Sequence, residues 1–416
     1  MHAEAFVPSP WWALPFVGLL LSIAVLPLAS PHFWESNLRK LGVCALLGAP
    51  VLVLYLRERP AVLGHAASDY VSFIVLLGGL FVISGSILLE GDLEATPRTN
   101  AAFLGLGALF ASFVGTTGAS MLLIRPLLQT NRERKHVAHT VVFFIFLVSN
   151  IGGCLTPLGD PPLFLGYLVG VPFTWTLRLF LPWLFTTTLV LAVYVLWDRR
   201  LHAREARADL KRDFYEVRRL RLAGKESLVL LAGVLLAVAF LRAPWREVAI
   251  VGLGVLSYAR TDPALRKANR FTFHPILEVA ALFAGIFVTM LPALDLLRAR
   301  GAELGVREPW QFFWATGALS SFLDNAPTYL TFLALAQGLG LPADVVGVPH
   351  GILAAVSLGA VFMGANTYIG NGPNFMVRSI AEERGVKMPS FGGYMLYSAA
   401  VLLPVFGLVT LVFFRR

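Results

Sequence analysis

Twelve stretches of this chain are nearly free of charge: 11–30, 41–56, 70–89, 101–128, 137–168, 176–197, 226–241, 247–259, 275–297, 310–340, 347–377 and 392–414. Several reach the roughly 20 residues that a helix needs to cross about 30 Å of hydrocarbon. With 57% of the 416 residues hydrophobic and 14% charged, a single water-soluble core cannot take up the apolar surface. The expectation is an all-α polytopic membrane protein of about ten spans. The stretches 41–56, 226–241 and 247–259 are short for a crossing. The opening residues, MHAEAFVPSP, lack the basic segment and small-residue cleavage site of a secretory leader, so the first span is expected to remain. Cys44 and Cys154 stand far apart without metal-ligand spacing and read as small packing residues.

The net charge of +9 is unevenly spread. In 199–225, RRLHAREARADLKRDFYEVRRLRLAGK, ten Lys/Arg stand against four Asp/Glu between two apolar stretches. This pattern fits a cytoplasmic loop under the positive-inside rule better than a nucleic-acid patch, so the expected location is the inner (cytoplasmic) membrane with no nucleic-acid partner. The same orientation puts NRERKH at 131–136 inside, together with Arg260, Arg266, Lys267 and Arg270. Arg57, Arg59, Arg298, Arg300 and Arg415–Arg416 fall outside and fit it poorly.

The two sides of this loop resemble each other in order. GGLFV at 78–82 answers AGIFV at 284–288, an offset of 206, and GAL at 107–109 answers GAL at 317–319, an offset of 210. GDPPLF at 159–164 answers GNGPNF at 370–375, an offset of 211. The reading is a duplication: a first membrane repeat at 1–198, the basic loop at 199–225, and a second repeat at 226–416. Five crossings plus one segment that enters and returns would invert the second copy, an arrangement typical of secondary transporters. The returning segments are expected at 101–130, with the tip VGTTGAS offering Thr117 and Ser120, and at 310–340, with the tip LDNAPT.

Within 137–168 lies NIGGCLTPLGDPP, and within 347–380 lies GANTYIGNGPN. Gly and Pro stop a helix and free backbone groups that lipid cannot satisfy, so such a break at membrane depth persists only where it faces protein or a wet cavity. The first break offers Asn150, Thr156 and Asp160; the second offers Asn366, Thr367, Asn371 and Asn374. The second hairpin tip adds Asp324, Asn325 and Thr328. A carboxylate at this depth costs about 2.5–3.5 kcal/mol on insertion scales, which marks Asp160 and Asp324 as functional. Hard oxygen donors suit Na⁺ or Li⁺, with Asp160, Asp324, Asn150 and Asn325 as the candidate Na⁺ ligands. A proton competing for the same carboxylates would suffice for exchange, with Na⁺ and H⁺ as cargo and no resident cofactor. Arg125 and Arg378 could balance an anion or reach the interface. His136 and His139 read as solvated span ends, and Glu90, Asp92, Glu278 and Asp295 as interfacial. HExxH, Gly-x-Ser-x-Gly and phosphate-loop patterns are missing, so nothing points to an enzyme.

SNIGGCLTPLGDPP and SSFLDNAPTYL resemble the NhaD-type sodium/proton antiporters of the ion transporter superfamily, which also holds arsenite and dicarboxylate carriers. The likeness spans about 70–410. It implies two re-entrant hairpins, two broken helices, a homodimer in the bilayer, and site roles for Asn150, Thr156, Asp160, Asp324, Asn325 and Thr328. Pro161–Pro162 and NTYIGNGPN depart from the antiporter pattern. The expected activity is Na⁺ (or Li⁺)/H⁺ exchange, with a Na⁺- or H⁺-coupled carrier of a small anion, a di- or tricarboxylate or arsenite, as the alternative.

Overall fold

The structure, a computed structural model, describes residues 6–342 and 344–415; residues 1–5 of the opening segment and the terminal Arg416 lie outside them. The apolar stretches become helices in two matching series. The first half runs α1 (Leu14–Ala29), a short α2 (Pro31–Trp34), α3 (Asn37–Glu58) and α4 (Pro60–Ser84). There follow a pair, α5 (Pro97–Val114) and α6 (Thr116–Thr130), a second pair, α7 (Ala138–Leu147) and α8 (Pro161–Leu168), and then α9 (Phe180–His202). After α10 (Arg207–Tyr215) the second half opens with α11 (Lys225–Phe240), α12 (Trp245–Arg260), a short α13 (Pro263–Ala268) and α14 (His274–Arg300), the short helix falling one place later than in the first half. It continues with the pair α15 (Pro309–Ser320) and α16 (Asn325–Gln337), the pair α17 (His350–Met363) and α18 (Gly372–Glu383), and α19 (Phe391–Phe413).

Six helical segments are each long and apolar enough to cross a bilayer, and Ala138–Cys154 and His350–Asn366 are shorter apolar helices. This is an all-α polytopic membrane fold. The 16 residues of α11 and of α12 rise only about 24 Å at 1.5 Å each, as their short apolar stretches implied. Proline opens α4, α5, α8 and α15, where its missing amide costs nothing. At α15 Glu308 and Gln311 close a capping box.

The halves interlock reciprocally. α3 packs on α14 and α12 on α4; α1 packs on α14 and α11 on α4; α6 packs on α18 and α16 on α8. Such mirrored contacts are the pattern that a two-fold relation between the halves would produce.

Within this all-α fold the structure departs from the sequence reading in several details. The basic loop contributes to one short two-stranded sheet: β1 (Leu88–Asp92) pairs antiparallel with β2 (Arg218–Ala223), setting Leu89 opposite Leu222 and Glu90 opposite Arg221. The alternation in RRLRLA supplies the period of two that a strand needs. α9 also runs past the expected boundary at 198 to His202. His139 is buried: its Nε2 lies 2.9 Å from Asp198 Oδ1, and Arg134 Nη2 donates to the same oxygen at 2.5 Å. The carboxylate at the end of α9 thereby gathers the α6–α7 connection. Glu278 pairs with the buried Lys40 at 2.5 Å, and Asp295 accepts from Tyr55 at 2.8 Å and Arg59 at 2.9 Å. Arg59 is therefore neutralised by a neighbouring helix.

Asp213 of α10 is buried, and its Oδ2 accepts from the amide of Ala95 at 2.9 Å, tying the basic segment to the chain entering α5. Burial pushes its carboxyl up to about 6. A folded-state value above the unfolded one means that stability is full at low pH and is lost as pH rises from about 4 through about 6. Asp213→Asn, which can still accept from Ala95, is expected to raise the melting temperature by an amount that grows across this range and then levels off. Thermal unfolding in detergent at stepped pH measures it.

Candidate functional site

Each paired element is a helix interrupted where the sequence placed its helix breakers. Gly115, at φ +84°, turns α5 back into α6, a backbone angle that side chains beyond glycine rarely adopt. Residues 321–324 turn α15 into α16. Between α7 and α8 the chain makes a short 3-10 turn, Ile151–Cys154, and between α17 and α18 another, Gly364–Asn366.

The two breaks are fastened alike. Thr156 Oγ1 donates to the carbonyl of Ser112, and Thr367 Oγ1 to that of Ser321. Each threonine also accepts from the amide two residues on, Leu158 and Ile369, at 3.2 Å. Ser112 Oγ donates to Gly152 O, and Ser321 Oγ to Met363 O. Going from 156 to 367, 158 to 369 and 152 to 363 is an offset of 211 throughout, the one that aligns GDPPLF with GNGPNF. Thr156 and Thr367 thus hold the breaks open; their hydroxyls are used by backbone.

The same offset relates Asp160 to Asn371, which cap α8 and α18 in the same extended conformation. Asp160 is 1% exposed. Its Oδ1 accepts from Thr116 Oγ1 at 2.7 Å and from Asn371 Nδ2 at 3.3 Å, and its Oδ2 from Asn325 Nδ2 at 2.6 Å. One carboxylate therefore joins both hairpin tips and both breaks. Asn371 Nδ2 also reaches Asn150 Oδ1 at 3.2 Å, and Asn150 Nδ2 donates to Asn374 Oδ1 at 2.7 Å. Asn374 in turn donates to the carbonyls of Gly364 and Thr367. Burying so many polar groups is tolerable because they satisfy one another.

Of the expected site residues, Asp160, Asn325, Asn371, Asn150 and Asn374 form this network. Asp324 stands beside it: its Oδ1 caps the amide of Ala326 at 2.9 Å. Thr328 Oγ1 returns to the carbonyl of Asp324, within its own helix. Ser120 pairs with Ser149 at 2.7 Å, and Asn366 Nδ2 donates to Ser321 Oγ at 2.9 Å. The residue that sequence reasoning missed is Thr116, neighbour of the expected Thr117. Aligning the hairpins through Gly115 and Asp324, 209 apart, would have matched it to Asn325.

A cavity of about 120 Å³ lies against this network. One wall is apolar, with Phe73 and Leu80 of α4 and Ile276 and Phe283 of α14; the other carries Gly115–Gly118, Gly159, Pro161, Asp324, Asn325, Asn371 and Gly372. The first residues of α6, α8, α16 and α18 thus line one space. Each helix start carries roughly half a positive charge. The N-cap positions hold Asp160, Asp324, Gly115 and Asn371; of the two carboxylates only that of Asp324 bonds an amide of its own helix, while that of Asp160 accepts from the starts of α6, α16 and α18. Among the described residues no Lys, Arg or His lines this cavity. Arg378 is turned aside to Glu382 at 3.0 Å and lies over the ring of Tyr368.

As arranged, both oxygens of Asp160 act as acceptors, toward Thr116, Asn371 and Asn325. A cation there would have to take Asn325 and Asn371 by their amide oxygens, a half-turn of each side chain. For an anion, the first turns of α6 and α18 line the cavity, although the amide of Thr116 is taken by Gly159 O, that of Asn374 by Asn371 O, and Pro373 has none.

A family described as "Putative citrate transport" matches residues 6–414. No curated protein matches the chain. The match bears out a membrane carrier of the ion transporter type and does not extend to sodium/proton exchange. Spanning nearly its whole length, it shows that the chain belongs to this citrate-transport family of membrane carriers.

Proposed function

We propose that this protein is a secondary carrier of a small carboxylate such as citrate, coupled to a monovalent cation or a proton. The observation that carries the reading is the convergence of four helix starts on one cavity, set against two carboxylates, Asp160 and Asp324. Four helix starts at roughly half a positive charge each offset the two carboxylates, so a substrate carboxylate entering with its coupling cation meets no net negative wall, without a cationic side chain. Asp160 is the candidate for the coupling ion, and the tips bearing Thr116, Thr117 and Asn325 are the candidate gates. The family description agrees with such a substrate.

Sodium/proton exchange is the second reading. It is favoured by the two carboxylates and by the lack of a cationic side chain among the described residues lining the cavity. Proteoliposomes loaded to give a sodium or proton gradient separate the two. The first reading expects labelled citrate to accumulate down either gradient. Sodium- or lithium-dependent proton movement without any anion uptake would overturn it. Asp324→Asn sharpens the comparison: it removes a negative charge from the cavity wall, so a carboxylate carrier is expected to keep or strengthen citrate binding, whereas an exchanger is expected to lose activity.

A further inference from the structure

The segment between the two repeats sorts its charges by side. All ten of its basic residues, from Arg199 to Lys225, are exposed. Of its four acids Glu205 and Asp213 are buried, and Asp209 and Glu216 half-buried. Glu205 accepts from the amides of Lys135 and His136 at 3.1 and 2.9 Å; Asp213 is held by Ala95, and Glu216 by Arg212 at 2.8 Å. The outer face is therefore more basic than its composition indicates. Four apolar side chains stand among these bases. Phe214 is 61% exposed and Tyr215 81%, with Val217 and Leu220 also exposed.

We infer that this face docks on the anionic lipid headgroups of the adjacent leaflet. Exposed aromatics beside arginines are costly in water and suited to the boundary between headgroups and acyl chains. The location agrees. Membrane helices α9 and α11 flank the segment, and pairing of β2 with β1 draws it to the end of α4. Through Asp213 and Ala95, the docked segment holds the entry to the first hairpin. Lipid charge would thus bear on the element that carries Thr116.

The test uses full-length protein with Tyr215→Cys labelled by an environment-sensitive nitrobenzoxadiazole dye; Cys44 and Cys154 are buried. Nanodiscs of phosphatidylcholine alone are compared with nanodiscs that also contain phosphatidylglycerol. In the anionic discs the emission is expected to move to the blue and rise by about twofold or more, and high salt should reverse it. R218Q/R219Q/R221Q in the labelled protein should abolish the change. R207Q/K211Q, on α10, should weaken it even if the triple variant proves unstable. Equal emission in both lipids, or a change that neither variant reduces, overturns the inference. So does displacement of the labelled segment by added RNA or an acidic peptide, which would make the partner a soluble polyanion.

Discussion

Asp160→Asn is expected to abolish transport while leaving the protein folded. The carboxylate accepts from three side chains that belong to three different elements, Thr116 on α6, Asn325 on α16 and Asn371 at the start of α18. An amide of the same shape keeps one accepting oxygen and turns the other position into a donor, so it meets at least one of these groups donor to donor. It also removes the buried negative charge to which a coupling cation or proton would bind. Losing a charge-assisted hydrogen bond costs about 1.5–3 kcal/mol, so affinity for the coupling ion should fall roughly ten- to a hundredfold. Asp160→Ala differs in kind, because it leaves three buried donors without an acceptor at about 1–3 kcal/mol each and should lower the melting temperature as well. The measurement is gradient-driven citrate uptake in proteoliposomes, beside gel-filtration elution of the same preparations. Wild-type uptake by the asparagine variant would reduce Asp160 to a tie between the hairpins.

The elements were legible wherever a local rule decides them. Apolar length gave the spans, and Gly and Pro inside apolar runs gave both breaks, since such residues stop a helix wherever they stand. The likeness of the two breaks was readable at GDPPLF and GNGPNF because both are built from backbone close approach, which constrains sequence tightly. Choices that depend on packing across the repeats were not legible. Asp324 and Asn325 are adjacent, and sequence favoured the acid; in the fold Asp324 caps its own helix while Asn325 reaches Asp160. The choice between Thr116 and Thr117 rests on the turn at Gly115, where one residue of rotation aims the side chain elsewhere. Asp69 was missed because the apolar stretch was taken to begin at residue 70, whereas α4 begins at Pro60. That places Asp69 inside the helix, beside a second cavity shared with His65 and Arg298. His139 was misplaced for a related reason. A histidine at a span end is solvated unless a partner waits there, and Asp198, about sixty positions away, is that partner.

The second large effect concerns Gly159 and Gly370, which occupy equivalent places in the two breaks. A Cβ at 159 would stand 2.2 Å from the carbonyl oxygen of Gly153, and one at 370 would stand 2.5 Å from that of Gly364. The obstructing atoms are backbone, so no side-chain rotation relieves them, and 153 and 364 are themselves 211 apart. Alanine at either place is expected to destabilise the protein by about 3 kcal/mol or more, with loss of folded yield. Gly407→Ala, with no atom near its added Cβ, should be neutral or slightly stabilising within its helix. Thermal unfolding of purified protein compares the three. The damage would also reach the site. Gly159 accepts from the amide of Thr116 at 2.8 Å, and Asp160 follows it directly. Any shift of the break at 159 thus separates Thr116 from the carboxylate it holds. A Gly159→Ala protein as stable as wild type would mean that the chain does not cross itself closely there, and the position assigned to Asp160 would fall with it.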